Sequence, residues 1–312
     1  MERVLVMMNT YNGEKYLKEQ INSILSQEGV TTDLLIRDDC SSDGTVSILQ
    51  SYKEQYPDRF EIIIGEKNLG PSGSNLAVIG HCALTYNYYA FSDQDDYWES
   101  KKIIVAINKL QELSSAQPRL YYSNLTVTDD KLTPRFLAYS KKDVTDSYRG
   151  CLPDFRASCN TFVCDKNAII LFKNNPPKPS MHGDLWYQIL CYFVGEVVYD
   201  EKSHILFRRT GTNASGPRER GFKLFRTHLK RLLLMPGKPK DEREAMRKHM
   251  AQEIIDSHKE ELSEEKLQVL LMVSEYTDSF GKKLRLIFTP KVKSRSFVRN
   301  THMALRVLFN AF

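Results

Sequence analysis

Tyr88-Tyr89-Ala90-Phe91-Ser92-Asp93-Gln94-Asp95-Asp96-Tyr97-Trp98 is a short apolar run that ends in a knot of carboxylates. Residues 88–92 read as a buried strand, aromatic and small with no charge among them. Such a strand needs no acids at its end to be stable. Asp93, Asp95 and Asp96 repel one another, so some favourable interaction must offset that cost. Two readings stand side by side. In one, Asp93 and Asp95 bind a divalent cation: Mg²⁺ or Mn²⁺ takes oxygen ligands, commonly one or two carboxylates together with substrate phosphates. In the other, the acids mark a helix start, with Asp96 or Ser100 as its cap and Glu99 suiting its dipole. The first reading suits Asp93 and Asp95, the second Asp96.

Working outward, strands alternate with helices. Val4 to Met8 is an apolar strand ending in the polar turn Asn9-Thr10-Tyr11-Asn12-Gly13. Glu14 to Gln27 has helical periodicity, with Tyr16, Leu17, Ile21, Ile24 and Leu25 on one face. Asp33 to Arg37 is a second strand, followed by the turn Asp38 to Thr45, where Ser42 or Asp43 can cap a helix to Tyr56. Phe60 to Ile64 is a third strand. Asn68-Leu69-Gly70-Pro71 is a turn into the helix Ser72 to Ala83, and Tyr86 to Ser92 is the fourth strand. This alternation predicts a doubly wound α/β sheet. Its polar loops follow strands one, two and four, where open α/β sheets bind ligands. No G-x-G-x-x-G follows the first strand and no G-x-x-x-x-G-K-[ST] occurs, so the dinucleotide and P-loop fingerprints are absent.

Beyond it, Ile103 to Leu113 reads as a helix, Leu120 to Thr128 as a strand, Ser158 to Cys164 as a strand and Lys166 to Phe172 as a helix. Residues 131–150 are polar and unassigned. Asn174 to Pro179 is a rigid loop that leads Ser180-Met181-His182-Gly183-Asp184 into a helix from Leu185 to Phe193. Val197 to Tyr199 and Ile205 to Arg208 read as two short strands. Thr210 to Gly216 closes the body.

The 312 residues are 41% hydrophobic and 27% charged, an ordinary globular balance. No apolar run approaches the ~20 residues of a membrane span, and Met1-Glu2-Arg3 leads directly into a strand, so no secretory signal is expected. Six cysteines without a C-x-x-C pair suggest reduced thiols. The net charge of +5 is uneven: residues 217–312 carry +9 and residues 1–216 carry −4. No acid follows Asp278. In the tail Phe222, Leu224, Phe225, Leu229 and Leu232 alternate with Arg218, Arg220, Lys223, Arg226 and Lys230. That pattern reads either as a helix lying on an anionic membrane or as one packed on the body with a solvated basic face. Residues 241–280 read as polar helices. A nucleic-acid role is not expected, because no recognised module is present.

Four motifs in order, Thr10 to Leu17, Ile36 to Thr45, Asn68-Leu69-Gly70 and Phe91 to Trp98, resemble family-2 glycosyltransferases of the GT-A fold. The finer details are most similar to bacterial rhamnosyltransferases of cell-wall and capsular polysaccharide synthesis. Met181-His182-Gly183-Asp184-Leu185-Trp186 resembles their His-Asp-Trp element, and Leu206 to Asn213 their Tyr-Arg-Gln-His-x-x-Asn element. The resemblance covers residues 1–216. It implies one GT-A domain, with a nucleotide-sugar half at 1–98 and an acceptor half at 99–216. A basic helical extension follows at 217–312.

By the same resemblance Thr10, Tyr11, Asn12, Asp39 and Asn68 surround the nucleotide, and Asp93 reaches ribose or metal. Asp95 binds the divalent cation, Mg²⁺ or Mn²⁺, on the diphosphate. Asp184 is the general base for the acceptor hydroxyl, and Trp98, His182, Trp186 and Arg208 shape the acceptor side. The implied reaction is inverting transfer of a sugar, L-rhamnose from dTDP-rhamnose, to a lipid-linked glycan by a peripheral protein at the inner membrane face. Alternatives are the same chemistry with a UDP-hexose, or a scaffold that binds nucleotide sugars without catalysis. Residue by residue, plainer roles also exist: Asp184 as a helix N-cap, Asp39 as a turn former, both tryptophans as core, Arg208 as a surface ion pair. This chain departs from the family pattern at Gly183, between His182 and Asp184, at Thr210, where histidine is common, and at Cys40, where glycine is common.

Overall fold

A computed structural model describes residues 1–140, 144, 147–153, 158–178, 181–210, 246–310 and 312. They fall into two compact units, one within Met1–Ser140, Ala157–Pro176 and Gly195–Thr212, the other within Lys141–Arg156, Pro177–Val194 and Asn213–Phe312. In chain order the elements are β1 (Glu2–Thr10), α1 (Leu17–Leu25), β2 (Val30–Asp38), α2 (Thr45–Gln55), β3 (Phe60–Ile64), α3 (Gly70–His81), β4 (Tyr88–Ser92), β5 (Tyr97–Trp98), α4 (Lys102–Gln111), β6 (Arg119–Thr128) and β7 (Pro134–Leu137). Then come α5 (Tyr148–Cys151), β8 (Val163–Asp165), α6 (Lys166–Asn174), α7 (Gly183–Val194), β9 (Glu196–Arg208), α8 (Met246–His258), α9 (Glu264–Ser274), α10 (Phe280–Phe288) and α11 (Phe297–Leu308).

The first unit is a mixed α/β fold around one sheet, ordered β3-β2-β1-β4-β8-β6-β9-β5, with β7 added on β6. β3, β2, β1 and β4 run parallel, Val4 opposite Tyr88 and Met8 opposite Ser92. Parallel strands joined by helices are covered on both faces, which is why Val4 to Met8 and Leu34 to Ile36 are buried without alternation. α1 buries Leu17, Gln20, Ile21 and Ile24, and α4 buries Ile103, Ala106, Ile107 and Leu110, each the apolar stripe of an amphipathic helix. The chain leaves β1 for β2 and β3, then returns on the other side of β1 at β4. The strand order thus reverses between β1 and β4, and the loops after these strands open at that reversal.

The later half of the sheet differs in detail from the sequence pattern. Ser158 to Cys164 is not one strand: Cys159–Thr161 is a 3-10 turn and only Val163–Asp165 pairs. The turn carries the Asn160 side chain to Asp96. The two short strands expected around 197 and 205 are one strand, β9. Its polar centre is absorbed by register shifts against β6 near Asn124, and Asp200 Oδ1 accepts Lys202 N at 3.0 Å. Within the unassigned 131–150 stretch, Pro134–Leu137 pairs with β6.

The second unit is helical. Every side chain of α7 from Leu185 to Val194 is buried. Arg247 Nε donates to Leu152 O at 2.7 Å and Lys266 Nζ to Phe193 O at 2.8 Å. Ser279 Oγ caps α10 by accepting Lys282 N at 3.2 Å. The basic segment 217–234 lies outside the described residues.

Candidate functional site

Three loops meet at the strand reversal. The first follows β1. Thr10 Oγ1 donates to Asp38 Oδ1 at 2.8 Å, and Asn12 Oδ1 accepts Ser42 N at 2.8 Å. Asn12 N and Gly13 N donate to Ser41 Oγ and Thr45 Oγ1, each at 2.8 Å. Asn12 has φ +47°, a left-handed conformation that asparagine tolerates. The Tyr11 ring is exposed, but its backbone is clasped by one side chain: Gln94 Oε1 accepts Tyr11 N at 2.8 Å, and Gln94 Nε2 donates to Tyr11 O at 3.0 Å. A Cβ on Gly13 would collide with that Gln94 amide.

Gly13→Ala should therefore push the Gln94 amide off the Tyr11 backbone and destabilise the fold in urea unfolding by about 0.5–1.5 kcal/mol for each hydrogen bond lost. Adding Gln94→Ala should recover part of the loss, giving a double-mutant coupling of ~0.5 kcal/mol or more. Strict additivity would show that the added methyl does not meet the Gln94 amide.

The second loop follows β2. Asp39 is buried, and its carboxylate is largely used: Leu69 N donates to Oδ1 and Gly70 N to Oδ2, both at 2.8 Å, and Arg37 pairs with Oδ1. Asp39 thus builds the Asn68–Gly70 turn, in which Asn68 Oδ1 also accepts Gly70 N at 2.9 Å. Three of its roughly four acceptor directions are thus used. Cys40 has φ +65°, where an L side chain is disfavoured, which explains why glycine suits this position.

The third loop is the acidic knot. Asp93 is exposed, Asp95 half-buried and Asp96 fully buried. Asp96 does not cap α4, whose start is at Lys101 with no side-chain cap. It accepts instead from Asn160 Nδ2, and from Arg208 N at 3.2 Å. The reason is topological: β5 and β9 pair here and turn Asp96 inward. Burial pushes the Asp95 carboxyl above the usual range, and burial plus the charges of Asp93 and Asp95 pushes Asp96 well above it.

Arg208, at the end of β9, ties the knot to its surroundings. Its Nε donates to Asp95 O at 2.9 Å, its other nitrogens reach Asp130 O and the Glu19 carboxylate, and it stacks 4.3 Å over Tyr16. Only 3% of its side chain is exposed, so it is not a surface ion pair. Beneath lies Lys102, fully buried, its Nζ 3.6 Å over the Trp98 ring and its pKa lowered to about 7 by burial. Trp98 itself has no exposed surface and belongs to the core.

The expected residues divide between the two units. Thr10, Tyr11, Asn12, Asp39, Asn68, Asp93, Asp95 and Arg208 lie in the first, Thr10 and Arg208 as the last residues of β1 and β9 and the others on loops that follow its strands. Asp184 lies in the second, in the first turn of α7, half-buried; His182 is exposed just before it and Trp186 is buried. An acid there also complements the helix dipole. Gln94, Glu19 and Lys102 are additions. Gln94 stands between two conspicuous aspartates, but the partners of Gln94 and Glu19 are 83 and 189 positions away, so no local pattern reveals them.

Among the described residues no three acidic, histidine or cysteine side chains form a metal cage by themselves. Two hard carboxylates on an exposed loop fit a cation that completes its shell with ligand phosphates. Burial raises the Asp95 carboxyl, and a cation beside it would offset the cost of keeping that carboxylate charged.

The family model described as glycosyl transferase family 2 matches residues 5–170, just over half the chain. The chain belongs to that family. The matched span contains all three loops. Among curated relatives, the dTDP-rhamnosyl transferase RfbG of Shigella flexneri is 39% identical over 33% of this chain and 36% of its own length. The putative teichuronic acid biosynthesis glycosyltransferase TuaG of Bacillus subtilis is 31% identical over 52% and 62%. The UDP-Glc:alpha-D-GlcNAc-diphosphoundecaprenol beta-1,3-glucosyltransferase WfgD of Escherichia coli is 26% identical over 60% and 69%. The matches thus span from about a third to just over two-thirds of these relatives. S. aureus TarS 1–349 in complex with UDP superposes over 93% of this chain and 75% of its own, with TM-score 0.58 and 16% identity. A Pyrobaculum calidifontis mannosyltransferase, solved with GDP-Man and Mn²⁺, covers 99% of this chain and 85% of its own, with TM-score 0.50 and 14% identity. These two likenesses establish the GT-A fold.

Proposed function

We propose that this protein transfers a sugar from a nucleoside diphosphate carrier to a hydroxyl of a lipid-linked glycan, with inversion, in bacterial cell-wall or capsular polysaccharide synthesis. The observation that carries this reading is the acidic loop at the strand reversal, with Asp93 exposed and Asp95 beside it. L-rhamnose from dTDP-rhamnose is the proposed donor, supported by the likeness to RfbG. The second reading is a UDP-hexose, favoured by the likeness to WfgD. A lipid-linked acceptor would place the work at the inner face of the cell membrane.

Thr10, Tyr11, Asn12 and the turn held by Asp39 and Asn68 would enclose the nucleoside. Asp93 and Asp95 would hold a divalent cation, Mg²⁺ or Mn²⁺, which offsets the charge that builds on the departing diphosphate. Asp184 would take the proton of the acceptor hydroxyl as that oxygen attacks the anomeric carbon, with His182 beside it. Arg208 would act by holding the Asp95 backbone. Trp98 and Trp186 are too deeply buried to meet an acceptor directly.

Calorimetric titration with dTDP-rhamnose and UDP-glucose, with and without Mg²⁺ or Mn²⁺, tests the reading. Cation-dependent binding of dTDP-rhamnose is expected. Selective binding of UDP-glucose would keep the chemistry and replace the sugar, and no binding of any nucleotide sugar would overturn the proposal. A thiol reagent gives a second readout. Cys40 is half-buried while Cys82, Cys151, Cys159, Cys164 and Cys191 are buried, so one thiol should react fast in the folded protein. Bound nucleotide should slow it, since Cys40 adjoins Asp39; equal labelling with and without nucleotide would count against a nucleoside in this loop.

A further inference from the structure

We infer that α10 and α11 form a docking surface for an anionic lipid bilayer. α10 buries Leu286 and Ile287 and exposes Phe280, Leu284 and Phe288, at 67%, 37% and 76%. These three stand at successive four-residue steps, one stripe along the helix. α11 repeats the division: Met303 and Val307 are buried, whereas Phe297 and Leu308 are 84% and 41% exposed, eleven positions apart and so on one face. Phe309 follows at 49%. Of the twelve large hydrophobic side chains exposed among the described residues, six lie within 280–309. Scattered exposed apolar groups need no explanation, but a cluster on two packed helices does.

Charge selects the occupant. Residues 279–312 contain Lys282, Lys283, Arg285, Lys291, Lys293, Arg295, Arg299 and Arg306 and not one acid. Lys282 is engaged within the fold, with Glu275 and Asp278 at 2.7 and 2.9 Å, whereas Arg285 is exposed beside the phenylalanine stripe. A second copy would bring the same cations against the same patch, since a two-fold interface pairs each surface with itself. A bilayer with acidic headgroups accommodates both features. Phenylalanine rings enter the acyl boundary while lysine and arginine remain among the phosphates. Among the described residues no helix is long and apolar enough to cross a membrane, so these helices lie on the surface.

Flotation with vesicles of phosphatidylcholine alone, or of phosphatidylcholine with phosphatidylglycerol, tests this on the full chain. The protein should rise with the anionic vesicles and be released by salt. Phe280→Ser/Phe288→Ser/Phe297→Ser should lower the bound fraction at least about tenfold, and Arg285→Glu should lower it at low salt. Phe136→Ser, an exposed residue of the first unit, should leave it unchanged. Circular dichroism checks that each variant folds. Wild type that stays with the bottom fraction would overturn the inference, and so would a triple variant that floats as well as wild type. An oligomer that the triple variant dissociates, without vesicle binding by wild type, would assign the surface to a second copy instead. The readout needs no sugar donor, so its failure is distinct from failure of the donor titration.

Discussion

Asp95→Asn is expected to abolish cation-dependent donor binding, lowering affinity by about a hundredfold or more, because a carboxylate ligand to a divalent ion contributes several kcal/mol. The substitution keeps the side chain's size, and the Asp95 carbonyl that Arg208 holds is untouched. The fold should therefore survive while the cation site does not. Titration with Mn²⁺ and nucleotide reads the loss directly; unchanged Mn²⁺ dependence would remove Asp95 from the metal role. A pH dependence follows. Burial raises Asp95, and burial with neighbouring charge raises Asp96 further. The folded loop thus keeps protons that an unfolded chain has lost. Such groups favour folding at low pH, and that contribution is lost as pH rises through their raised values. Without metal, the contribution of these two groups to stability should fall as pH rises above about 4, the ordinary range of aspartate, read as the difference between wild type and the Asp95→Asn variant. A cation bound by Asp95 must displace the proton that burial favours there, so its affinity should rise with pH and its stabilising effect should be larger at pH 8 than at pH 5. Asp95→Asn should reduce both trends. Melting temperatures with and without Mg²⁺ at the two pH values decide it.

Asp184→Asn should lower transfer by ~10²–10⁴ while donor affinity stays within about twofold, since a general base acts in the transition state and not in donor binding. Asparagine keeps the shape and still suits the start of α7, so the helix should form. Single-turnover transfer to an acceptor, set against donor binding of the same preparation, separates base catalysis from folding. Equal loss of binding and turnover would mean that Asp184 holds structure. Turnover like wild type would move the base elsewhere, with His182 as the next residue to replace.

The acidic knot shows how far a local reading reaches. Asp93 and Asp95 stand out in the chain because a strand of Tyr, Ala and Phe has no local use for them. Asp96 stands out equally, and as a helix cap it was misplaced. It is turned inward because β5 pairs with β9, and its hydrogen-bond partners, Asn160 and Arg208, lie 64 and 112 positions away. Asp39 is similar: it stands out as a site residue, but its ties to Leu69 and Gly70 belong to the folded state. Trp98 is the opposite case. An aromatic beside an acidic loop suggests a ligand contact, yet β5 carries it into the core with Lys102 over its face.

By itself the sequence determined the alternation of β1 to β4 with α1 to α3, and with it the position of the three loops. Hydrophobic periodicity and turn residues act over a few neighbours, and a parallel sheet built from them leaves its polar loops at one edge. The four ordered motifs likewise determined the family. Only the tertiary structure decided what braces those loops. Gln94 clasps Tyr11, Arg208 joins Asp95 to Glu19 and Asp130, and Asp96 is buried behind them. Each of these contacts joins residues distant in the chain, and hydrogen bonds of that kind exist only once the sheet has placed their donors and acceptors a few ångströms apart.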